Sequence, residues 1–244
     1  MRRKTLMPKA TPSKKLVPNR LLAQLPQEDY ERLEPHLKPV TLKSKQILYD
    51  VGQPINYVYF PIKSLISVVV LMEDGEPAEA GLIGYEGMSG IPILLGQRTS
   101  SQRNIVQSPN GALRLETKYL KEEYNRGGVL KDLLLRYLHS FLLQVSQTAG
   151  CNGRHKLDQR LARWLLMVQD RVQSSEFLLT QEFISQMLGV YRPGVSIAAN
   201  TLQRAGLIDY HRGKIKVLNR DGLEQSSCEC YAAVSLNARS ESKK

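Results

Sequence analysis

Along the chain, apolar and polar positions alternate with three different periods. From Leu21 to Leu37, "RLLAQLPQEDYERLEPHL" spaces its apolar residues as short helices do. From Val40 to about Leu115 the period shortens. Runs rich in Val, Ile and Tyr ("QILYDV", "NYVYF", "LISVVVLM", "NIVQ", "ALRLE") are separated by turn signals at Gly52-Gln53-Pro54, Glu73-Asp74-Gly75 and Pro109-Asn110-Gly111. Many short strands at regular spacing predict an antiparallel sandwich or barrel rather than a βαβ sheet.

After Gly127-Gly128 the period becomes helical. Leu130, Leu134, Tyr137, Phe141, Gln144, Thr148 and Cys151 recur at alternating spacings of four and three, a heptad seam. Leu138, Leu142 and Val145 make a second stripe beside it. A helix with two apolar faces can pack one on its own β-domain and the other on a twin helix. The polar Gln144 and Thr148 assign the first stripe, Leu130 to Thr148, to the dimer interface, where water reaches the seam's end. Further on, "KLDQRLARWLLMVQDRV" repeats Leu157, Leu161, Trp164, Leu165 and Val168 at helical spacing, with the single tryptophan as a core residue.

The segment "LLTQEFISQMLGV" offers Thr180 as an N-cap, Glu182 in the first turn and Gly189 as a stop. After the tight connection Val190-Tyr191, Pro193 marks the beginning of a second helix, since a first-turn proline loses no hydrogen bond. Val195, Ala198, Ala199 and Leu202 form its buried face, and the two alanines let a neighbouring helix come close. Arg192, Ser196, Ile197, Asn200 and, further along, Arg204 lie opposite. "LIDYHRGKIKVL" follows as two β-like runs about Arg212-Gly213, with Lys214 and Lys216 on alternate positions. Helix, tight turn, helix and basic hairpin predict a winged helix-turn-helix. Arg192 would stand at the tip of the helix that enters a major groove, where arginine grips guanine O6 and N7. Ile197 would either pack at the turn or touch a thymine methyl.

Charge supports this placement. The 244 residues carry a formal +11 that is unevenly spread. Residues 1–20 hold seven bases and no acid, 21–150 hold 13 bases and 14 acids, and 151–234 hold 11 bases and eight acids. Basic ends on a neutral middle suggest a nucleic-acid partner. A hydrophobic share of 42% fits a globular protein, and no apolar run is long enough to span a membrane. With no secretory signal and an odd count of three cysteines, a reduced cytoplasmic setting is expected.

From "RLARWLL" through "LTQEFISQMLGV" to "LQRAGLIDYHRGKIKVLNRDGLE", the chain resembles the Crp/Fnr family of bacterial transcription regulators, and the similarity extends over nearly all of residues 20–225. The resemblance implies an α+β fold: an N-terminal antiparallel, jelly-roll-like β-roll similar to cyclic-nucleotide-binding domains, a long dimerisation helix and a C-terminal winged helix-turn-helix. The expected boundaries are a disordered basic arm at 1–20, the sensor roll at 21–118, the dimerisation region at 119–151, the DNA-binding domain at 152–234 and a disordered tail at 235–244. DNA contact is expected from Thr180, Arg192, Pro193, Ser196, Ile197, Asn200, Arg204, Arg212, Lys214 and Lys216. The family's usual acidic residue after the first arginine is here Pro193, and its second recognition arginine corresponds to Ile197. A different preferred DNA sequence follows.

Two further features bear on regulation. Nucleotide-binding members carry Gly-Glu and then Arg-Ser or Arg-Thr, whereas "GLIGYEGMSGIPILLGQRTSSQRNIVQ" puts Glu86 before Gly87 and Met88 after it. Arg98-Thr99 or Gln102-Arg103 could stand as the phosphate pair. Glu86, Met88, Arg98, Thr99 and Arg103 are the effector candidates, with cyclic nucleotide disfavoured and no cofactor expected. Residues 1–150 contain no cysteine, which excludes an N-terminal iron–sulfur centre. Cys151, His155, Cys228 and Cys230 match no standard zinc-finger spacing. Zinc, an inter-subunit disulfide at Cys151 and ordinary reduced thiols all stay open.

The expected protein is thus a homodimeric, sequence-specific regulator that binds double-stranded DNA at an inverted repeat, answers an unidentified effector at the roll and has RNA polymerase as a partner. The alternative is a redox- or metal-responsive sensor using Cys151, Cys228 and Cys230 that acts through a protein partner. An enzyme built on Cys151 and His155 has nothing to supply an oxyanion site and is not expected.

Overall fold

The computed structural model describes residues 17–73 and 75–240. Most of the expected basic arm, residues 1–16, lies outside that set, and so do 241–244. The arm's last residues are ordered, contrary to expectation. Asn19 is fully buried, accepts from the N–H groups of Leu21 and Leu22, and donates to the carbonyls of Pro61 and Gly87. It caps the short helix α1 (Arg20–Ala23) and ties it to the roll.

Helix α2 (Gln27–Leu33) and a 3-10 turn lead into seven strands: β1 (Lys38–Leu42), β2 (Ile47–Tyr49), β3 (Tyr57–Pro61), β4 (Leu65–Leu71), β5 (Pro77–Ile83), β6 (Arg103–Ser108) and β7 (Asn110–Glu116). They form two antiparallel sheets, β1-β7-β3 and β2-β6-β4-β5, whose facing side chains bury Val58, Phe60, Ile66, Val106 and Leu115. Helices α3 (Thr117–Arg126) and α4 (Val129–Arg154) follow. Between them Gly127 and Gly128 adopt φ +85° and +76°, a backbone open to glycine at no steric cost. The remainder comprises α5 (Leu157–Val172), β8 (Glu176–Leu178), α6 (Gln181–Leu188), α7 (Arg192–Arg204), β9 (Ile208–His211), β10 (Lys214–Val217), α8 (Arg220–Ser226) and α9 (Cys230–Ser240). Helix α9 runs into the stretch expected to be a disordered tail.

The first stripe of α4 faces its own roll. Leu130, Leu134 and Tyr137 of the expected dimer seam are buried against their own roll. The Tyr137 hydroxyl donates to the Met88 carbonyl at 2.9 Å. Gln144 accepts from the Leu82 N–H at 2.7 Å and donates to the Leu82 carbonyl at 3.1 Å, so it satisfies the free edge of β5 rather than a wet seam. Phe141 lies over Gly81, where an added Cβ would sit 2.9 Å from its ring. Thr148 turns back to the Gln144 carbonyl. The neighbouring stripe carries exposed apolar surface: Leu135 is 42% and Leu142 60% accessible, with Leu138 and Val145 half-buried beside them.

The roll and the C-terminal helices share one core. Leu65, Val69 and Leu82 of the four-stranded sheet pack with Leu161, Trp164, Leu165, Ile184 and Met187. At this junction the Trp164 indole N–H donates to Glu79 at 2.8 Å. Burial pushes the Glu79 carboxyl up to about 7, although Ser67, Trp164, Arg163 and Arg171 oppose the shift. The folded chain therefore keeps a proton that the unfolded chain releases near 4.5. The stability this adds is complete below the lower value and is lost as pH rises through the upper one. Glu79→Gln keeps an acceptor for Trp164 and is expected to flatten that loss, worth up to about 3 kcal/mol. Thermal melts of both chains at about pH 5 and about pH 8 would test it; equal pH dependence in the two would contradict the assignment.

Candidate nucleic-acid interface

Helix α6 is capped as its sequence dictates. Thr180 Oγ1 accepts from the Phe183 N–H at 3.1 Å, and Gly189, at φ +60°, ends the helix. The buried Arg160 guanidinium donates to the Leu188 carbonyl, a cation placed at the negative end of the helix. After Val190 and the exposed Tyr191, α7 opens with Pro193 in its first turn. Its inner face buries Val195, Ala198, Ala199 and Leu202 against α5 and α6. Arg192, Pro193, Asn200 and Arg204 are exposed, and Ile197 is 69% accessible. Ile197 therefore does not pack at the turn; an uncovered aliphatic chain stands on the outer face.

Strands β8, β10 and β9 form the wing in that order. Arg212 and Gly213, at φ +48° and +79°, make the two-residue turn with both φ positive that matches strand twist. Arg192, Arg212 and Thr180 converge on one cleft of about 290 Å³, together with Gln181, Tyr210 and Gly213. The Tyr210 hydroxyl donates to the Leu179 carbonyl, and its burial pushes it up to about 12 despite the nearby Arg192. The helix tip and the wing tip thus each contribute an arginine to the lining of one cleft. Arg204 lies at the other end of α7, about 18 Å away along the axis.

Three polar partners escaped the sequence reading. Gln181 accepts from the Ser196 hydroxyl at 2.7 Å and clamps α7 to the start of α6, so Ser196 is held rather than free. Glu176 on β8 pairs with Lys214 at 2.5 Å and Lys216 at 3.3 Å, which holds its carboxyl below the usual range. Arg220 is bound to Asp170, Glu224, Gln169 and Tyr231 and belongs to the domain's internal scaffold.

The effector candidates do not gather. Met88 is fully buried under Tyr137, Glu86 pairs with Arg171 at 2.7 Å, and Arg103 pairs with Asp50 at 2.7 Å. Thr99 bridges to Pro54, while the Arg98 carbonyl accepts from the Ile55 N–H. Glu86 and Arg103 are thus neutralised in separate places, while the Arg98 side chain is exposed. The roll does contain a cavity of about 150 Å³, lined by Val68, Ile83, Gly90, Ile91, Asn104 and Phe141 among others, with no charged side chain on its wall. The residue after Gly90 is the buried Ile91, so an apolar group stands next to the glycine that opens a second 3-10 turn, Ile91–Leu95. Cys151 is fully buried against Cys228 and Cys230 of its own chain, which removes the inter-subunit disulfide reading.

Residues 159–226 match the family model described as a Crp-like helix-turn-helix domain. The chain is 22% identical over 193 residues to the global nitrogen regulator of Synechococcus elongatus, covering 75% of this chain and 86% of that one. It is 23% identical over 210 residues to the global nitrogen regulator of Synechocystis, covering 80% and 92%. Among solved structures, FixK2 from Bradyrhizobium japonicum superposes with a TM-score of 0.67 at 17% identity, over 79% of this chain and 98% of that one. The CRP-family transcriptional regulator TTHB099 from Thermus thermophilus gives 0.64 at 20% identity, over 77% and 96%. No helix among the described residues is long and apolar enough to cross a membrane. Residues 159–226 thus form a Crp-like helix-turn-helix domain, and the β-roll and long helix before it share the fold of the FixK2 and TTHB099 structures.

Proposed function

We propose that the protein works as a homodimer on an inverted-repeat site, with α7 of each copy in successive major grooves about 34 Å apart. The observation that carries this reading is the outer face of α7: Arg192, Ile197 and Asn200 stand exposed, flanked by Arg212 at the wing tip. Pairing runs through Leu135 and Leu142, exposed on α4, with the half-buried Leu138 and Val145 beside them. RNA polymerase is the expected protein partner of such a DNA-bound dimer. An effector acting through the roll would occupy the uncharged cavity beside Gly90, whose wall offers amide and apolar groups and no cation for a phosphate.

Arg192→Ala is expected to cost on the order of 1–3 kcal/mol on the specific site and to relax preference at one position per half-site. Lys214→Ala is expected to weaken all sequences alike and to make the salt slope shallower. Its effect should be the smaller one, because Glu176 already engages that lysine. Gel shifts on promoter and random DNA across a salt series would measure both. Equal losses on both DNAs for both variants would remove the division between reading and holding.

A further inference from the structure

The sulfur and nitrogen atoms of Cys151, His155, Cys228 and Cys230 all lie within 4.8 Å of one another, although up to 79 positions separate them in sequence. Cys151 is on the last turns of α4, His155 caps that helix, Cys228 is in the α8–α9 link and Cys230 opens α9. All three thiols are buried and free of disulfides. Cys151 Sγ and Cys228 Sγ are 3.4 Å apart, and Cys230 Sγ is 3.4 Å from His155 Nδ1. We propose that these four residues bind one zinc(II) ion and pin α9 to the end of α4.

Three observations separate this site from a chance meeting of thiols. The first is size. A tetrahedral zinc with bonds of about 2.3 Å to sulfur places its ligands roughly 3.8 Å apart, and the set already sits near that spacing. An iron–sulfur cluster would spread its thiolates across several irons, and so small a set cannot wrap one. The second is the outer ring of partners. His155 Nε2 lies 3.1 Å from a Glu229 carboxylate oxygen, and this contact turns Nδ1 toward the sulfurs. Such carboxylate–histidine pairs accompany ligating imidazoles. The Gln147 amide donates to Cys230 Sγ at 3.0 Å, as an N–H would to a thiolate.

The third is charge. Arg160 and Arg163 are buried beside the cluster, each with an Nε atom lacking a hydrogen-bond partner; neither makes an ion pair among the described residues, and Arg163 also acts on the buried Glu79 while Arg160 does not. Their charges act on Cys151, and for Arg160 also on Cys228. Buried guanidinium groups call for a nearby negative charge. Three thiolates, one neutral imidazole and zinc(II) together carry one net negative charge. Loading releases the thiol protons to solvent and changes no oxidation state. A soft set of three sulfurs and one nitrogen selects zinc over hard-ligand cations.

The full-length protein, purified without chelator, should contain one zinc per chain by elemental analysis. Replacing it with cobalt(II) should give a thiolate-to-cobalt charge-transfer band and the intense visible bands of a tetrahedral centre. Cys230→Ser removes one of three thiolates and should weaken the charge-transfer band in the folded chain; an unchanged band would count against the site. Glu229→Gln changes an exposed side chain, so it should keep the far-ultraviolet spectrum while weakening zinc affinity 10–100-fold in competition with a chromogenic chelator. Any of three results would overturn the site: substoichiometric zinc with three freely titrating thiols in the folded chain, a Cys151–Cys228 disulfide, or an iron–sulfide chromophore. Unchanged zinc affinity in Glu229→Gln would remove the second argument and count against the assignment. These readouts need no DNA, so they stand or fall independently of the DNA-binding reading.

Discussion

Glutamate at both Leu135 and Leu142 is expected to leave a folded monomer that has lost nearly all affinity for an inverted repeat. Both side chains are exposed on α4, one heptad apart on the stripe that the roll leaves bare. Two facing pairs of carboxylates would have to be desolvated for the helices to meet, which an apolar seam cannot compensate. With the copies separated, each half-site binds alone, and the gain of about 10²–10⁴ from linking them disappears. Sedimentation would show the change of mass, and a gel shift would show the loss of binding. Leu134→Glu is the control. Leu134 is fully buried in the roll's own core, so this change should unfold the chain instead of splitting a dimer. A folded dimer in the double variant would end the assignment of this stripe.

Replacing Trp164 with alanine should cause the largest loss of stability from a single core change, about 3–5 kcal/mol. The ring is 2% exposed and lies where strands of the roll meet α5 and α6, so its removal opens a void that two packed layers cannot both fill. It also strips Glu79 of its indole donor inside the core. For a chain of this size the melting temperature should fall by roughly 10 °C. Trp164→Phe, which keeps most of the ring volume, should lose only the hydrogen bond, about 1–2 kcal/mol. A fall of only one or two degrees in the alanine variant would mean that the junction is loosely held.

What the sequence disclosed was what local rules control. Thr180, Gly189, Pro193 and the Val195–Leu202 spacing define α6 and α7 with no knowledge of the rest of the chain. Arg212-Gly213 marks the wing turn in the same way. Failures occurred where long-range pairing decides. Both stripes of α4 are apolar, and Gln144 suggested a wet seam although its partner is the backbone edge at Leu82, 62 positions away. Strand β5, "PAEAGLI", has weak strand propensity, and β1 contains Pro39; both exist because neighbouring strands pair with them. Glu176 and Gln181 look like ordinary surface polar residues until β10 and α7 fold against them. The four-residue sulfur–imidazole set had no recognisable spacing because α4 and α9 come together only in the finished fold.

Because Leu65, Val69 and Leu82 share packing with Trp164 and Ile184, the helix-turn-helix is mounted on the β-roll through a common core and not through a slack hinge. Any small molecule that reorients α7 must hold a second arrangement of that junction more tightly than the first, by at least the packing energy surrendered. Regulation would then be all-or-none, with a threshold set by hydrocarbon contacts on the far side of the sheet from the ligand.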